Sequence, residues 1–425
     1  MNKFGKKKGN IMLKSIHIKG LFKQFDYDIY LKDEGITILT GPNGYGKTTI
    51  LKVLDSISRR NNIFLLKLQF ESMIFKFDDY GDLEVKKDIE NVILSQNEYI
   101  HSVREVLLEK INRFKQKDNS ELDYTVIEDD IYRNKMLTKV LTGEFPYDEI
   151  DFSSLERNLH FIETCFIKEQ RLLKKIYLNP DHYYEEKVRF QFNETIDEYS
   201  KELIDKIRDD FSQYSQIAQS LDSSYPNRLF DEKGTISEKD FIDRFSEIKI
   251  IQKSLNKYGL SVAKEEKHPN WTKQNSKALL VYLNDTEQKL SVFNDLLTRL
   301  DLFTEILNKK SFTNKTIEIN REKGLVLKSK DEKNLTLTDL SSGEQQEVVF
   351  LYELLFRAKP GTLVLFDEPE ISLHVAWQKE FLDDLKKITD LQKLNVIVAT
   401  HSPQIINQHW DWVVDLEEIV NETVS

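Results

Sequence analysis

The sequence predicts an α/β protein with a mixed, largely parallel core sheet, a β-rich N-terminal lobe and a long helical insertion. Three observations carry that prediction. A glycine-rich loop at 41–46 joins an apolar strand to a helix start, a join that α/β sheets use at the carboxyl ends of their strands. Two further apolar stretches, Thr362 to Phe366 and Asn395 to Thr400, end in polar tips and are separated by a helical period. Between about 196 and 307 the apolar residues recur at three-four spacing, which makes a helix face.

In chain order, Ile11 to Ile18, Phe25 to Leu31 and Ile36 to Thr40 read as short strands, the second with Tyr27, Ile29 and Leu31 alternating. The third runs into Gly41-Pro42-Asn43-Gly44-Tyr45-Gly46-Lys47-Thr48-Thr49, a full match to the phosphate-loop pattern G-x-x-x-x-G-K-[ST]. Glycines 41, 44 and 46 let the backbone turn its amides inward as a nest for anions. Lys47 stands where an ammonium reaches β- and γ-phosphates, Thr48 can put its hydroxyl on magnesium, and the helix start adds its positive dipole end.

After a helix to about Ser58, Ile63 to Gln69, Ser72 to Phe77 and Leu83 to Lys87 keep a strand pattern, which implies a meander. From about Glu98 the period turns helical through Val103, Val106, Leu107, Ile111 and Phe114, and again from about Val126 to Val140. Leu159 to Ile167 is an apolar strand with a polar end. Gln170 follows it, where a glutamine can reach magnesium and an attacking water.

Two amphipathic runs, Ile196 to Leu221 and Leu283 to Leu307, read as long helices, with a break at Ser223-Ser224-Tyr225-Pro226-Asn227, a shorter helix from about Glu238 to Leu255, and a polar loop around Pro269. A bundle packed on itself is favoured over a projecting coiled-coil arm. The strand period returns in a hairpin, Thr316 to Ile319 and Leu325 to Lys328, turning at Arg321-Glu322-Lys323-Gly324. Next comes Leu340-Ser341-Ser342-Gly343-Glu344-Gln345-Gln346, in which Ser341 and Glu344 form a capping box at a helix start. Hydroxyls, free amides and the helix dipole there make a compact anion site.

The strand from Thr362 delivers Asp367 and Glu368 at its tip. Two carboxylates at a sheet edge need counter-charge, and magnesium supplies it. Asp367 then reads as the metal-side carboxylate, and Glu368 as the group that accepts a proton from, or orients, the water attacking a γ-phosphate. A helix from about Ala376 to Ile388 leads to the parallel strand from Asn395, whose tip carries His401, placed to donate a hydrogen bond to the γ-phosphate.

At 425 residues and 40% hydrophobic, the chain has material for a large core and, at roughly 100–200 residues per domain, two or three units. The boundaries read 1–178, 179–310 and 311–425. A net charge of −11 argues against a surface coated for duplex DNA, although a local basic face leaves nucleic acid possible. Lys3, Lys6, Lys7 and Lys8 read as a disordered leader, with a nucleic-acid-binding arm as the alternative. Cys165, alone, reads as a buried small hydrophobe. Glu128-Asp129-Asp130 and Asp383-Asp384 read as solvated helix faces, not a nuclease cluster. No apolar run approaches the roughly 20 residues of a membrane span, and the N-terminus has no signal-peptide core, so the expected setting is cytoplasmic with no membrane partner.

Read in order, the phosphate loop, Gln170, Leu340-Ser-Ser-Gly-Glu-Gln, the Asp367-Glu368 strand and His401 resemble the ATP-binding-cassette ATPase heads over roughly 12–178 and 311–425. Asp367-Glu-Pro-Glu-Ile-Ser-Leu-His and Ala399-Thr-His-Ser-Pro-Gln are similar to the soluble branch of RecF, Rad50, the overcoming-lysogenization-defect nucleases and bacterial anti-phage ATPases. Ser342 and Glu344 depart from the Leu-Ser-Gly-Gly-Gln of transporter heads. The resemblance implies hydrolysis of ATP to ADP and phosphate with Mg2+, and a working unit of at least two copies. It implies that Ser341, Ser342 and Gly343, with Glu344 and Gln345, cap the γ-phosphate held by the facing copy. Too few residues follow His401 for a nuclease domain, so an ATPase without its own effector is expected; it resembles the free-standing ATPase subunits of the PARIS and Septu anti-phage systems, with Trp410-Asp411-Trp412-Val413-Val414-Asp415-Leu416 and Val375-Ala376-Trp377-Gln378 more similar to PARIS. That likeness implies a homo-oligomer, as large as a hexamer, holding a separate Toprim-like or HNH nuclease chain until a phage trigger protein releases it. A DNA-repair ATPase of the RecF or Rad50 kind is the alternative.

Overall fold

The computed structural model describes residues 12–60, 63–78, 81–88, 91–96, 99–103, 162–167, 173–177, 190–260, 270–309, 314–371, 373 and 375–424. The chain forms two compact units, Met1–Glu169 with Ala358–Ser425, and Gln170–Arg357. The sequence segments cut the chain elsewhere: the hairpin near 320 and the serine-rich turn at 341 belong to the unit that holds the long helices.

The first unit opens with β1 (Leu13–Leu21) and β2 (Phe25–Tyr30), paired antiparallel with Ile16 opposite Ile29 and Ile18 opposite Tyr27. Alternation in β2 sends Phe25, Tyr27 and Ile29 into the core and leaves the residues between them exposed. All five residues of β3 (Ile36–Thr40) are buried, as befits a central parallel strand, and α1 (Lys47–Ser58) follows the glycine loop.

Ile63–Lys67 is a short helix, α2, where a strand was expected. The run Ile-Phe-Leu-Leu-Lys has no alternation to hold it in a sheet, and a short apolar run is ambiguous between the two periods. Its C-terminal carbonyls are taken by the Lys87 ammonium, which bonds Leu66 O at 2.9 Å and also Leu68 O. The meander that follows is longer than expected: β4 (Ser72–Phe77), β5 (Leu83–Asp88), β6 (Asn91–Gln96) and β7 (Tyr99–Ser102) complete a six-stranded antiparallel sheet in the order β2-β1-β4-β5-β6-β7. Tyr99–Ser102 is thus strand where a helical period was expected to begin. Val106 to Phe114, Val126 to Val140 with its acidic triplet, and Gln170 lie outside the described residues. β8 (Thr164–Ile167) carries Cys165, which is half-buried rather than buried.

The second unit begins with an antiparallel pair, β9 (Leu173–Tyr177) and β10 (Phe190–Glu194), and continues into α3 (Thr195–Asp231), a single 37-residue helix. The break expected at Ser223 to Asn227 does not occur, and Pro226 sits inside the helix. Side chains serve the carbonyls around the proline: Ser224 Oγ bonds Ser220 O at 2.8 Å, and Arg228 Nη2 bonds Leu221 O at 2.6 Å. Arg228 also forks onto Asp285, which ties this stretch to the neighbouring α5. α4 (Glu238–Lys257) is capped by Ser237, whose hydroxyl accepts from Asp240 N.

α5 (Ser276–Leu290) and α6 (Asn294–Lys309) are separated by a 3-10 turn at Ser291–Phe293, so the second long run is two helices. Phe293 at that turn receives the rings of Phe211 and Tyr214 from α3, at 5.1 and 5.6 Å between centroids. Hairpin strands β11 (Lys315–Asn320) and β12 (Gly324–Ser329) follow, with β13 (Asn334–Leu335) on β12. Then α7 (Ser342–Tyr352) runs into a π-helical turn at Glu353–Arg357.

The chain returns to the first unit with β14 (Leu363–Asp367), α8 (Val375–Gln378), α9 (Phe381–Gln392), β15 (Asn395–Ala399), α10 (Pro403–Ile406), β16 (Val413–Asp415) and α11 (Leu416–Val424). The helix expected from Ala376 to Ile388 is divided by a turn in which Glu380 N bonds Trp377 O at 3.1 Å. Asp384 is not on a solvated face: three residues after Phe381 and four before Ile388, it shares their buried side and is only 3% exposed. Asp383 pairs with His409 at 2.9 Å. The core sheet has the order β16-β3-β15-β14-β8, and every pairing in it is parallel. The carboxyl ends of β3, β15 and β14 therefore lie side by side on one edge.

Candidate nucleotide site

That shared edge assembles the motifs. Gly41, Gly44 and Gly46 all have positive φ, +131°, +91° and +88°. At Gly46 a Cβ would come within 2.9 Å of the buried Leu21. Pro42, Asn43 and Gly44 are exposed at the loop crest, while Tyr45, Gly46, Thr48 and Thr49 are half-buried. Tyr27 donates its hydroxyl to Tyr45 O at 2.6 Å, and the Tyr45 ring stacks on Phe25 at 5.0 Å, so β2 braces the loop from behind.

Lys47 is 5% exposed. Its Nζ donates to Gly41 O at 2.8 Å and Pro42 O at 3.2 Å. Burial pushes its pKa down, and Glu368, Asp367, Asp415 and Glu370 oppose that only in part. Thr48 Oγ1 donates to Asp367 Oδ1 at 2.8 Å, which joins the α1 start directly to the β14 tip. Glu368 turns the backbone at a φ of +47°, its N–H on Ala399 O at 2.9 Å, and His401 Nε2 lies 3.9 Å from Glu368 Oε1.

A triphosphate and a divalent cation fit this residue set. The glycines bare the backbone where side chains would crowd it, a buried ammonium is ringed by carboxylates, and a hydroxyl beside a carboxylate gives the hard oxygen donors that magnesium takes.

Ser341 to Gln345 lie in the second unit and build the expected capping box. Glu344 N donates to Ser341 Oγ at 3.3 Å, and Ser341 N to the Glu344 carboxylate at 2.6 Å. Burial alone would raise the Glu344 pKa, but the Ser341 N–H and the Lys315 ammonium at 3.1 Å outweigh it and hold it below its usual value. Gln345 is folded back, its Nε2 on Leu340 O at 3.1 Å. Ser341 and Ser342 are exposed, and a Cβ at Gly343 would meet nothing within 4 Å.

Several residues at the core edge escaped the sequence reading. Asp415 accepts from Thr40 Oγ1 at 3.0 Å, and Glu370 accepts from Thr400 Oγ1 at 2.7 Å. Glu370 lies within the Asp367-Glu-Pro-Glu segment, but the sequence patterns give neither residue a role. Phe22 and Lys23, at φ +57° and +60°, form the β1–β2 turn beside Gly46 in a conformation that usually selects Asn-Gly.

Fold and edge together define a phosphate-loop nucleotide-binding protein of the α/β class. Residues 12–406 match the family described as an AAA ATPase domain; the chain belongs to that family, and it is an ATPase. It is 40% identical over 79 residues to "UvrABC system protein A" of Escherichia coli strain K12, and 37% identical over 79 residues to that of Clostridium acetobutylicum. Each match covers 19% of this chain and 8% of the relative, so the chain spans a small part of those proteins. Among solved structures it is similar to the Smc head domain with an extended coiled coil bound to the C-terminal domain of ScpA from Pyrococcus furiosus, at 15% identity and TM-score 0.36, covering 95% of this chain and 93% of that one. The Smc head domain with a coiled coil and joint from Pyrococcus yayanosii gives 12% identity and TM-score 0.35, covering 98% and 100%. No described helix is long and apolar enough to cross a membrane.

Proposed function

We propose that the chain is an ATP-binding-cassette-type head that closes with a second copy around ATP, and that it serves as sensor and regulatory scaffold for a separate nuclease chain in anti-phage defence. The observation that carries the ATPase part is the joined edge: buried Lys47 on the loop carbonyls, Thr48 on Asp367, and His401 facing Glu368. The phosphate loop, Gly41 to Thr49, grips the triphosphate, with Lys47 as counter-charge to its β- and γ-phosphates. Thr48 and Asp367, with Gln170, would hold Mg2+, which when bound neutralises phosphate charge. Glu368 takes the proton of the attacking water, and His401 donates to the γ-phosphate.

Ser341, Ser342 and Gly343 act on the other copy. Their exposure and the open space at Gly343 leave room for a phosphate approached from outside the chain, and the Glu344 carboxylate with Gln345 keeps the turn rigid. Segments 1–178 and 311–425 then work as the head, with 179–310 as the insertion that meets a partner. The anti-phage role, the nuclease and a phage trigger rest on the resemblance to free-standing anti-phage ATPases, and the cytoplasmic setting on the lack of any apolar run near the length of a membrane span.

Glu368→Gln tests the closed state: with ATP it should sediment as a stable dimer or larger assembly, and without ATP as smaller species. Identical sedimentation under both conditions would overturn the proposal. Co-expression with a nuclease encoded by a neighbouring reading frame, followed by co-purification, tests the effector assignment in the same way.

A further inference from the structure

The acidic tip of β14 carries a third carboxylate that the scheme above leaves without a task. After Glu368 reverses the backbone, Pro369–Ile371 forms a 3-10 turn. Ile371 N bonds Glu368 O at 3.1 Å, and Gln378 Nε2 bonds Glu370 O at 3.0 Å, so the Glu370 backbone is fixed from both sides. Its side chain crosses to the neighbouring strand. Glu370 Oε1 accepts Thr400 Oγ1 at 2.7 Å and the His401 N–H at 3.0 Å.

Those two donors begin where the ladder stops. The last β14–β15 pair is Asp367 with Ala399, so the His401 amide has passed beyond the strand pairing. The completely buried Thr400 passes the restraint along, its Oγ1 accepting Ser402 N at 2.9 Å, and Ser402 in turn caps α10. His401 itself is exposed, so its held backbone, which sets the direction of the Cα–Cβ bond, is the restraint nearest its ring. Its Nε2 stands 3.9 Å from Glu368 Oε1.

We infer that Glu370 is a positioning residue for ATP hydrolysis: its carboxylate, anchored on the Asp-Glu strand, clamps Thr400 and the His401 amide and so aims the His401 imidazole at the Glu368 carboxylate. This rests on the roles proposed for His401 and Glu368. The clamp links two neighbouring strand tips through one side chain, so the proton-accepting carboxylate and the imidazole keep a fixed spacing.

Glu370→Ala should lower kcat on the order of 10²-fold, the cost of misplacing a reacting group by about an ångström, with the KM for ATP changed less than about threefold. In the His401→Ala background the same substitution should cost less than about threefold, because the group being aimed is already gone. An equal loss in both backgrounds would overturn the inference. Glu370→Gln, which keeps an acceptor oxygen for both donors, should recover most of the lost kcat; a variant as slow as the alanine would count against the clamp. Hydrogen exchange reads the clamp without catalysis: Glu370→Ala should speed exchange of the His401 amide and leave Ala399 protected, and an unchanged His401 rate would refute it. If that protection is lost while His401→Ala keeps full kcat, the role proposed for His401 fails and the clamp stands.

Discussion

Gly46→Ala and Gly44→Ala separate two effects that a glycine loop combines. Both positions have φ near +90°, where an L side chain costs about 1–2 kcal/mol. At Gly44 a Cβ meets nothing within 4 Å, so that backbone cost is all it adds. At Gly46 it would stand 2.9 Å from Leu21 Cδ2 and 3.4 Å from Phe22 Cε2, and Leu21 is fully buried and cannot swing aside. Overpacking of that kind costs about 1–3 kcal/mol. Gly46→Ala should therefore lose about 2–5 kcal/mol in total and Gly44→Ala only about 1–2 kcal/mol. Urea unfolding without nucleotide, followed by tryptophan fluorescence, measures both, since Trp377 and Trp412 are buried in the first unit. Equal midpoints for the two variants would refute the contact between the loop and the β1–β2 turn.

Two further outcomes follow from single side chains. Tyr27→Phe removes the hydroxyl that holds Tyr45 O, and should cost about 1–1.5 kcal/mol; an unchanged melting temperature would dismiss the brace on the loop. Asp210 in α3 is pushed up to about 6 by burial, helped by Asp295 and Asp209 and opposed by Lys206 and Arg299. Its folded pKa thus lies above the unfolded value of about 3.9, so its contribution to stability is fully present below pH 4 and is lost as pH rises through 6. Asp210→Asn should raise stability at pH 7.5 by about 1–2 kcal/mol after allowance for solvent screening, and by nothing below about pH 4. Urea midpoints that show the same gain at both pH values would contradict this.

What the sequence made legible was whatever is encoded within a few neighbouring residues. The phosphate loop, the Ser341–Glu344 box and the Asp367-Glu368 tip are local patterns whose geometry comes with the pattern. The meeting of the phosphate loop with the Asp367-Glu368 tip was legible too, because apolar strands with polar tips on a parallel sheet bring those tips to one edge. Decisions made by distant partners were not. Ile63–Lys67 became a helix although its apolar run fits either period, and Lys87 covers its last carbonyls. Pro226 sits inside α3, in a turn that Arg228 ties down through Leu221 O and, from the neighbouring helix, Asp285. Glu370 was read only as part of the Asp367-Glu-Pro-Glu segment and given no task, since its partners at 400 and 401 meet it only across the strand gap.

The most direct test of two copies sharing their sites is complementation by mixing. Lys47→Ala lacks the phosphate-facing charge but keeps its serines, and Ser342→Arg blocks the exposed serine turn but keeps its phosphate loop. Each variant alone should hydrolyse ATP poorly. Mixed in equal amounts, half of all dimers pair the two variants, and each such dimer contains one site with an intact loop and an intact facing turn. Sharing between copies therefore requires that the mixture recover roughly a quarter of wild-type activity. A mixture no more active than the average of its two components would contradict it.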